Sequence, residues 1–316
     1  MEFRKLIQFG GNSFVISLPK KWIVANNLEK GDSINVDIQG TKLILFSEQE
    51  KITKEKIEII IEIDKNSTDA MIERKLFSAY VNGATKIIFS GLDLKKHSDK
   101  ITDLLKKYVA LEIVEHTTNK IICKTYISSE EIKISSFIRR VDNTIRSMLI
   151  DLEENSKFEK CSDENVTNIF QREENIDRIR RMLYRVITER LKNPFSDKEE
   201  NALENLKYWE MIKNLEKISN QIKYLCVNLV STKKINKNEK EYNDLMIKKI
   251  TETKTLYEEI MKNFYKHELN ESDVCSQKIK EIKKEINENC CSNNKEGKQL
   301  LLNILECMRD INRLIY

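Results

Sequence analysis

Residues 10–22 read Gly-Gly-Asn-Ser-Phe-Val-Ile-Ser-Leu-Pro-Lys-Lys-Trp, in a chain that has only seven glycines and two prolines. Paired glycines make a turn that side chains would obstruct. The residues after them alternate, so that Phe14, Ile16 and Leu18 fall on one face, and Pro19 stands where a helix begins and its missing N–H is no loss. A turn, a strand and a helix start therefore follow one another. Upstream, KLIQFG (5–10) alternates as a partner strand; downstream, PKKWIVANNLEKGD (19–32) predicts one helix of about three turns ending at Gly31. SINVDIQGTKLILF (33–46) then reads as a hairpin around Gln39-Gly40-Thr41, which makes the order β-β-α-β-β.

So small a unit cannot enclose a core of its own. Its apolar face (Leu6, Phe14, Ile16, Leu18, Trp22, Leu28, Val36, Leu43 and Leu45) is expected to close against a second copy, giving a homodimer. Phe14 and Trp22 are in phase with that face, so they read as core and not as base-stacking residues. Net charge is only +4, but its distribution is uneven: in residues 1–23, Arg4, Lys5, Lys20 and Lys21 are opposed by Glu2 alone. Lysines at a helix start oppose the helix dipole and invite an anionic partner. Clustered cations neutralise phosphates and release counterions, while Asn12 and Ser13 in the turn can donate to phosphate oxygens or base edges. Gly10 and Gly11 do not form a phosphate-cradling loop of the nucleotide-binding kind, because no Gly-Lys-Ser/Thr follows.

Six of the seven glycines lie within the first 91 residues and the next is Gly297, which predicts that the chain beyond is helical. Residues 57–127 alternate between the two periods. KIEIIIEID, TKIIFSG, ALEIVEHT and KIICKTYI read as strands, TDAMIERKLFSAYVN and DLKKHSDKITDLLKKY as helices with stripes at Met71, Leu76, Tyr80 and at Ile101, Leu104, Leu105. A small α/β sandwich is expected there. From residue 132 the period is helical throughout. Segments 132–157, 163–192, 197–232, 238–267, 272–289 and 295–316 are divided by KFEKCSD, KNPFSDK, STKKINKN, HELNES and NENCCSNNKE, as two three-helix bundles would be. The fold class expected is multi-domain α+β, with domains at 1–48, 55–128 and 132–316.

Three acid-bearing pairs recur at a spacing of four within those helices: Glu173 with Asp177, Glu216 with Asn220, and Glu306 with Asp310. One helical turn puts both members on one side, where oxygen ligands could share a divalent or iron-type metal ion; equally, such acids serve a solvated or Lys/Arg-paired surface. Three single histidines and seven cysteines without a CxxC pair give no zinc site, catalytic triad or disulfide framework. No general base, nucleophile or glycine-rich pocket suggests an enzyme. No secretory signal and no apolar run of membrane-spanning length is present, so a cytoplasmic location is expected.

Residues 4–45 resemble the AbrB/SpoVT swapped-hairpin DNA-binding family, with a basic first strand, a Gly-x-Ser stretch, a Leu-Pro-Lys corner before a helix and a Leu-x-x-Gly-Asp turn. The resemblance implies an interlocked dimer that presents Arg4, Lys5, Asn12, Ser13, Lys20 and Lys21 to double-stranded DNA. The helical part resembles PhoU-type phosphate-uptake regulators, closest in EENIDRIRRMLYRVITERL and LEKISNQIKYL, and the whole is similar to archaeal members that join an AbrB-like head to a PhoU-like body. Asn220 and Lys217 depart from the Asp and Arg of that pattern, and Glu281 and Glu285 are the nearest fit to the second bundle's first motif. The resemblances imply a dimeric transcriptional regulator of phosphate uptake. The alternative is an adaptor that binds a phosphate-transporter subunit or a sensor histidine kinase, its head serving only to dimerise.

Overall fold

The computed structural model describes residues 3–39, 41–47, 57–129, 131–157, 163–192, 202–235, 240–289 and 295–315. Gly40, the expected linker after Ser47, Cys161, Pro194, Cys290 and Cys291 lie outside the described residues. The chain divides into two compact units, Met1–Ile57 and Glu58–Tyr316.

The first unit, the head, holds β1 (Ile7–Phe9), β2 (Ser13–Val15), α1 (Lys20–Ala25), β3 (Ile34–Gln39) and β4 (Lys42–Ser47). β1 pairs antiparallel with β2 and β3 with β4, as two separate two-stranded sheets. Helix α1 has six residues, shorter than the three turns expected from the sequence. Its stop is Asn26-Asn27: Asn27 takes a left-handed φ of 49°, its N–H bonds the Val24 carbonyl, and the Leu28 N–H reaches back to Ile23 O at 3.0 Å. That pattern closes a helix and satisfies its last carbonyls. The following Leu-Glu-Lys-Gly-Asp turn is fixed by Asp32, whose carboxylate accepts from the Glu29 N–H at 2.7 Å.

The second unit, the body, begins with a four-stranded sheet in the order β5-β6-β8-β7. Its elements are β5 (Glu58–Glu62), α2 (Asp69–Val81), β6 (Lys86–Ser90), α3 (Leu94–Leu105), β7 (Leu111–Thr117) and β8 (Lys120–Thr125). β5 and β6 run parallel, joined by α2, while β8 is antiparallel to both β6 and β7. Thr68 caps α2 by accepting from the Met71 N–H at 3.3 Å. On that helix Ile72, not Met71, enters the core beside Leu76 and Tyr80; Met71 lies one step round, on the exposed side. Where β5 and β6 end, the Ile63 N–H bonds Ser90 O, and a Cβ on Gly91 would stand 2.0 Å from the Ile63 carbonyl oxygen, so only glycine allows that approach.

Six helices follow: α4 (Ile134–Lys157), α5 (Asp163–Lys192), α6 (Ala202–Ile235), α7 (Lys240–Lys266), α8 (Leu269–Asn289) and α9 (Lys295–Asn312), with a 3₁₀ turn at Arg313–Ile315. Helices α4, α5 and α6 pack on one another, as do α7, α8 and α9, with α6 against α9 and α4 against α7 joining the two groups. The stripes Ile169–Ile176–Ile179–Leu183–Val186, Leu215–Ile218–Ile222–Leu225 and Leu301–Ile304–Leu305–Met308–Ile311 are buried. HELNES is mostly helix: α7 and α8 meet at a two-residue corner, where His267 turns left-handed and the Glu268 N–H reaches back to Asn263 O.

Residues 58–128 and 132–315 share one continuous core. Helix α5 also fastens the sheet layer through cations. Arg181 donates to the Tyr108 hydroxyl at 2.9 Å, Arg185 to the carbonyls of Tyr80 and Ala84 at 2.8 and 2.9 Å, and Arg190 to those of Ser129 and Ile132 at 3.2 and 2.7 Å. The Arg185 bonds add a second donor to the Tyr80 and Ala84 carbonyls, which also accept from the Gly83 N–H and the Thr125 hydroxyl.

Candidate nucleic-acid interface

The β1–β2 register, Ile7 opposite Val15 and Phe9 opposite Ser13, brings the chain in and out at one end of the hairpin. Arg4 and Lys5 precede β1 at that end; Asn12 in the turn and Ser13 opening β2 lie at the other, where Gly10 takes a φ of 71°. Lys20 and Lys21 are the first two residues of α1, after Pro19 in an extended conformation. All six side chains are exposed. Among the described residues Lys5, Lys20 and Lys21 form no ion pair, so their charge is available to a partner. The hairpin thus carries Arg4 and Lys5 at one end and Asn12 and Ser13 at the other, while Lys20 and Lys21 open α1.

The head's apolar side chains lie open. Leu6 is 66% exposed, Phe14 63% and Ile38 75%, and Ile7, Phe9, Ile16, Val36 and Leu43 are exposed as well. Leu18, Trp22, Leu28 and Leu45 are half-buried, and among head residues whose burial is described only Ser47 is buried. Apolar exposure of this extent on so short a segment marks an interaction surface.

The acid pairs of the body meet cations. Lys223 stands 2.8 Å from Glu173. Burial would lift the Asp177 carboxyl, but Arg181 and Arg180, at 2.8 and 2.5 Å, hold it below its ordinary value. Burial does lift Glu216, despite Arg180 at 4.0 Å. The Asn220 Oδ1 is buried with no hydrogen-bond partner. Glu306 is held low by its hydrogen bond from Lys283, helped by Arg309, and Asp310 faces Arg309 and Arg313. Glu285 pairs with Lys249, whose side chain is buried, together with Glu252. Among the described residues no group of three or more His, Cys, Asp or Glu forms that could hold a metal ion. Guanidinium or ammonium groups thus stand against Glu173, Asp177, Glu306 and Asp310, whereas Glu216 has Arg180 only at 4.0 Å.

Sequence reasoning missed Arg181, Arg185 and Arg190 as anchors. An arginine in phase with buried leucines is the one signal that was there to find. Among the described residues no helix is long and apolar enough to cross a membrane.

Residues 7–57 match the family model described as "Antidote-toxin recognition MazE, bacterial antitoxin". The match ends at Ile57, where the first compact unit also ends. The head is therefore a MazE/AbrB-type domain, followed by a mostly helical body that the match does not reach. No curated protein and no solved structure matches the chain.

Proposed function

We propose that the chain is a homodimeric DNA-binding regulator, with the head gripping duplex DNA and the helical body receiving a signal. The observation that carries this reading is the head itself: apolar side chains that a single copy leaves open, and lysines that no carboxylate of the described residues neutralises. A second head would cover the first feature, and a polyanion would answer the second. Domains of the matched type typically pair and bind DNA, which supports the same assignment.

The finer reading is a PhoU-like body and control of phosphate uptake from the cytoplasm, by binding and not by catalysis. The two mutually packed groups of three helices support the first part. Switching requires a ligand or partner, such as a transporter subunit or a sensor kinase, that binds two arrangements of the dimer with different affinity. The test is binding of the full chain to duplex DNA across a salt series. If about half of the eight copies of Arg4, Lys5, Lys20 and Lys21 in a dimer meet phosphates, log affinity should fall with log salt at a slope of about −3 to −4. A flat line, with the chain dimeric, rejects DNA as the partner.

The description of the matched family favours a second reading, in which the head recognises a protein. A full chain that dimerises, ignores DNA at low salt and forms a stoichiometric complex with a purified toxin-type partner establishes that reading in place of the first.

A further inference from the structure

A shallow, solvent-open groove of about 520 Å³ runs between α4 and α5 in the body, lined by Ser136, Arg139, Arg140, Asn143, Thr144, Ser147, Arg172 and Asn175. Its lining holds three guanidiniums and no carboxylate. The six α4 residues recur three or four apart, so they form one polar face opposite the buried Ile134–Ile138–Val141–Ile145 stripe. The groove is a product of the helical fold and lies outside the matched head.

The donors in it are largely unspent. Arg140 is exposed and has no ion-pair partner among the described residues. Arg139 has its guanidinium carbon 4.3 Å from the centre of the Tyr265 ring, a contact that fixes its direction without neutralising it. Arg172 is bonded to Asp151, which lies outside the lining. Thr144 and Ser147 have given their hydroxyl hydrogens to the carbonyls of Arg140 and Asn143, at 2.9 and 3.1 Å. The Ser136 hydroxyl and the Asn143 and Asn175 amides remain free to donate among the described residues. Two adjacent guanidiniums with no carboxylate partner among the described residues set up a local positive potential that the +4 net charge of the chain does not.

We propose that this groove binds the phosphoryl group of a small molecule. Planar guanidinium forks match a phosphoryl oxyanion in pairs, and the amides and the hydroxyl add neutral donors. The site is independent of the head and goes beyond its reading as a DNA grip.

The test is calorimetric titration of the full chain with inorganic pyrophosphate, with sulfate as the control for simple charge. Saturable binding at one site per chain is expected, tighter for pyrophosphate than for sulfate. R139Q and R140Q should each weaken it roughly tenfold, as the loss of a charge-assisted hydrogen bond does. R178Q removes an exposed arginine of α5 that does not line the groove, and should change nothing. Melting curves of the variants verify folding, and a K20A/K21A chain should bind pyrophosphate unchanged, which separates this site from the head. The inference is overturned by absence of saturable binding, by equal loss in R178Q, or by groove variants that lower affinity for duplex DNA and leave pyrophosphate binding intact.

Discussion

Head and body spend the same kind of residue in opposite ways. In the head, Phe14, Ile16, Val36, Ile38 and Leu43 are exposed on a scaffold of two short hairpins and a six-residue helix. In the body, Ile87, Phe89, Leu215, Ile222 and Leu305 are each wholly enclosed by the chain's own helices and sheet. Both regions keep strict apolar periodicity, so the pattern alone reports which faces seek cover and not who supplies it. Chain length decides that. The body has six long helices to fold over its stripes, whereas the head has too little chain to cover its own.

The comparison breaks most readily at Phe14 and Ile38. On a free surface F14E and I38E would each alter stability by no more than about 0.5 kcal/mol. Against a second head the same charges would be buried unpaired. The expected outcome of the double variant is a dimer weakened by more than about a hundredfold, or lost altogether, with the melting of the body unchanged. Sedimentation equilibrium over a concentration series reads the result; a variant that dimerises as before returns the apolar face to solvent and removes the main support for pairing.

Within the body the largest single effect is expected at Arg185. R185M would remove one of the two donors to each of the Tyr80 and Ala84 carbonyls, which keep the Gly83 N–H and the Thr125 hydroxyl, and would leave Glu189 without its partner at 3.0 Å. Breaking one side of a buried charged network costs about 3–5 kcal/mol. Chemical denaturation should register that loss, and dimerisation by the head should survive it. The contrast between regions is sharpened if it does.

How far the sequence discloses these features depends on how local they are. Strand alternation and helix stripes are local, so the order of elements in both regions could be read from spacing. The length of α1 could not, because its stop depends on Asn27 entering the left-handed region, which glycine would have announced and asparagine does not. The acid pairs were legible as pairs, one turn apart on one helix. Their partners were not: Glu173 meets Lys223 from α6 and Glu306 meets Lys283 from α8, and no spacing rule links residues on different helices. The arginine anchors were hidden for the same reason, since Arg185 and Arg190 bond backbone carbonyls that carry no sequence signature.

A smaller effect, dependent on pH, is expected at Glu153. This carboxyl is buried at the end of α4 and accepts from Lys157 at 2.6 Å, from Lys254, and from the Thr251 hydroxyl at 2.9 Å. Those bonds, Lys157 first, lower its pKa from 4.5 to about 2. A carboxyl that is more acidic when folded stabilises the protein above its unfolded pKa. That contribution is complete above about pH 4.5 and disappears as pH falls toward 2. It amounts to about 2 kcal/mol once the exposure of Lys157 is allowed for. E153Q should therefore be less stable than the parent at pH 7 and nearly equal to it at pH 2.5. Denaturant titrations at both values check this, and a constant difference would assign the effect to packing and not to charge.

The smallest expected change in stability belongs to the residues proposed to matter most for binding. Lys20 and Lys21 are exposed and unpaired among the described residues, so K20A/K21A should leave the melting temperature almost where it was. Their loss should still flatten the salt dependence of DNA binding, by about 0.9 in slope for each phosphate contact removed. Affinity should fall to a similar degree on unrelated duplexes, because contacts to the backbone carry no sequence information. A drop confined to one duplex would move these lysines to base readout. An unchanged slope would leave the lysines with no part in the grip and shift the search to Arg4 and Lys5, at the open end of the first hairpin, where a test with the same salt series applies.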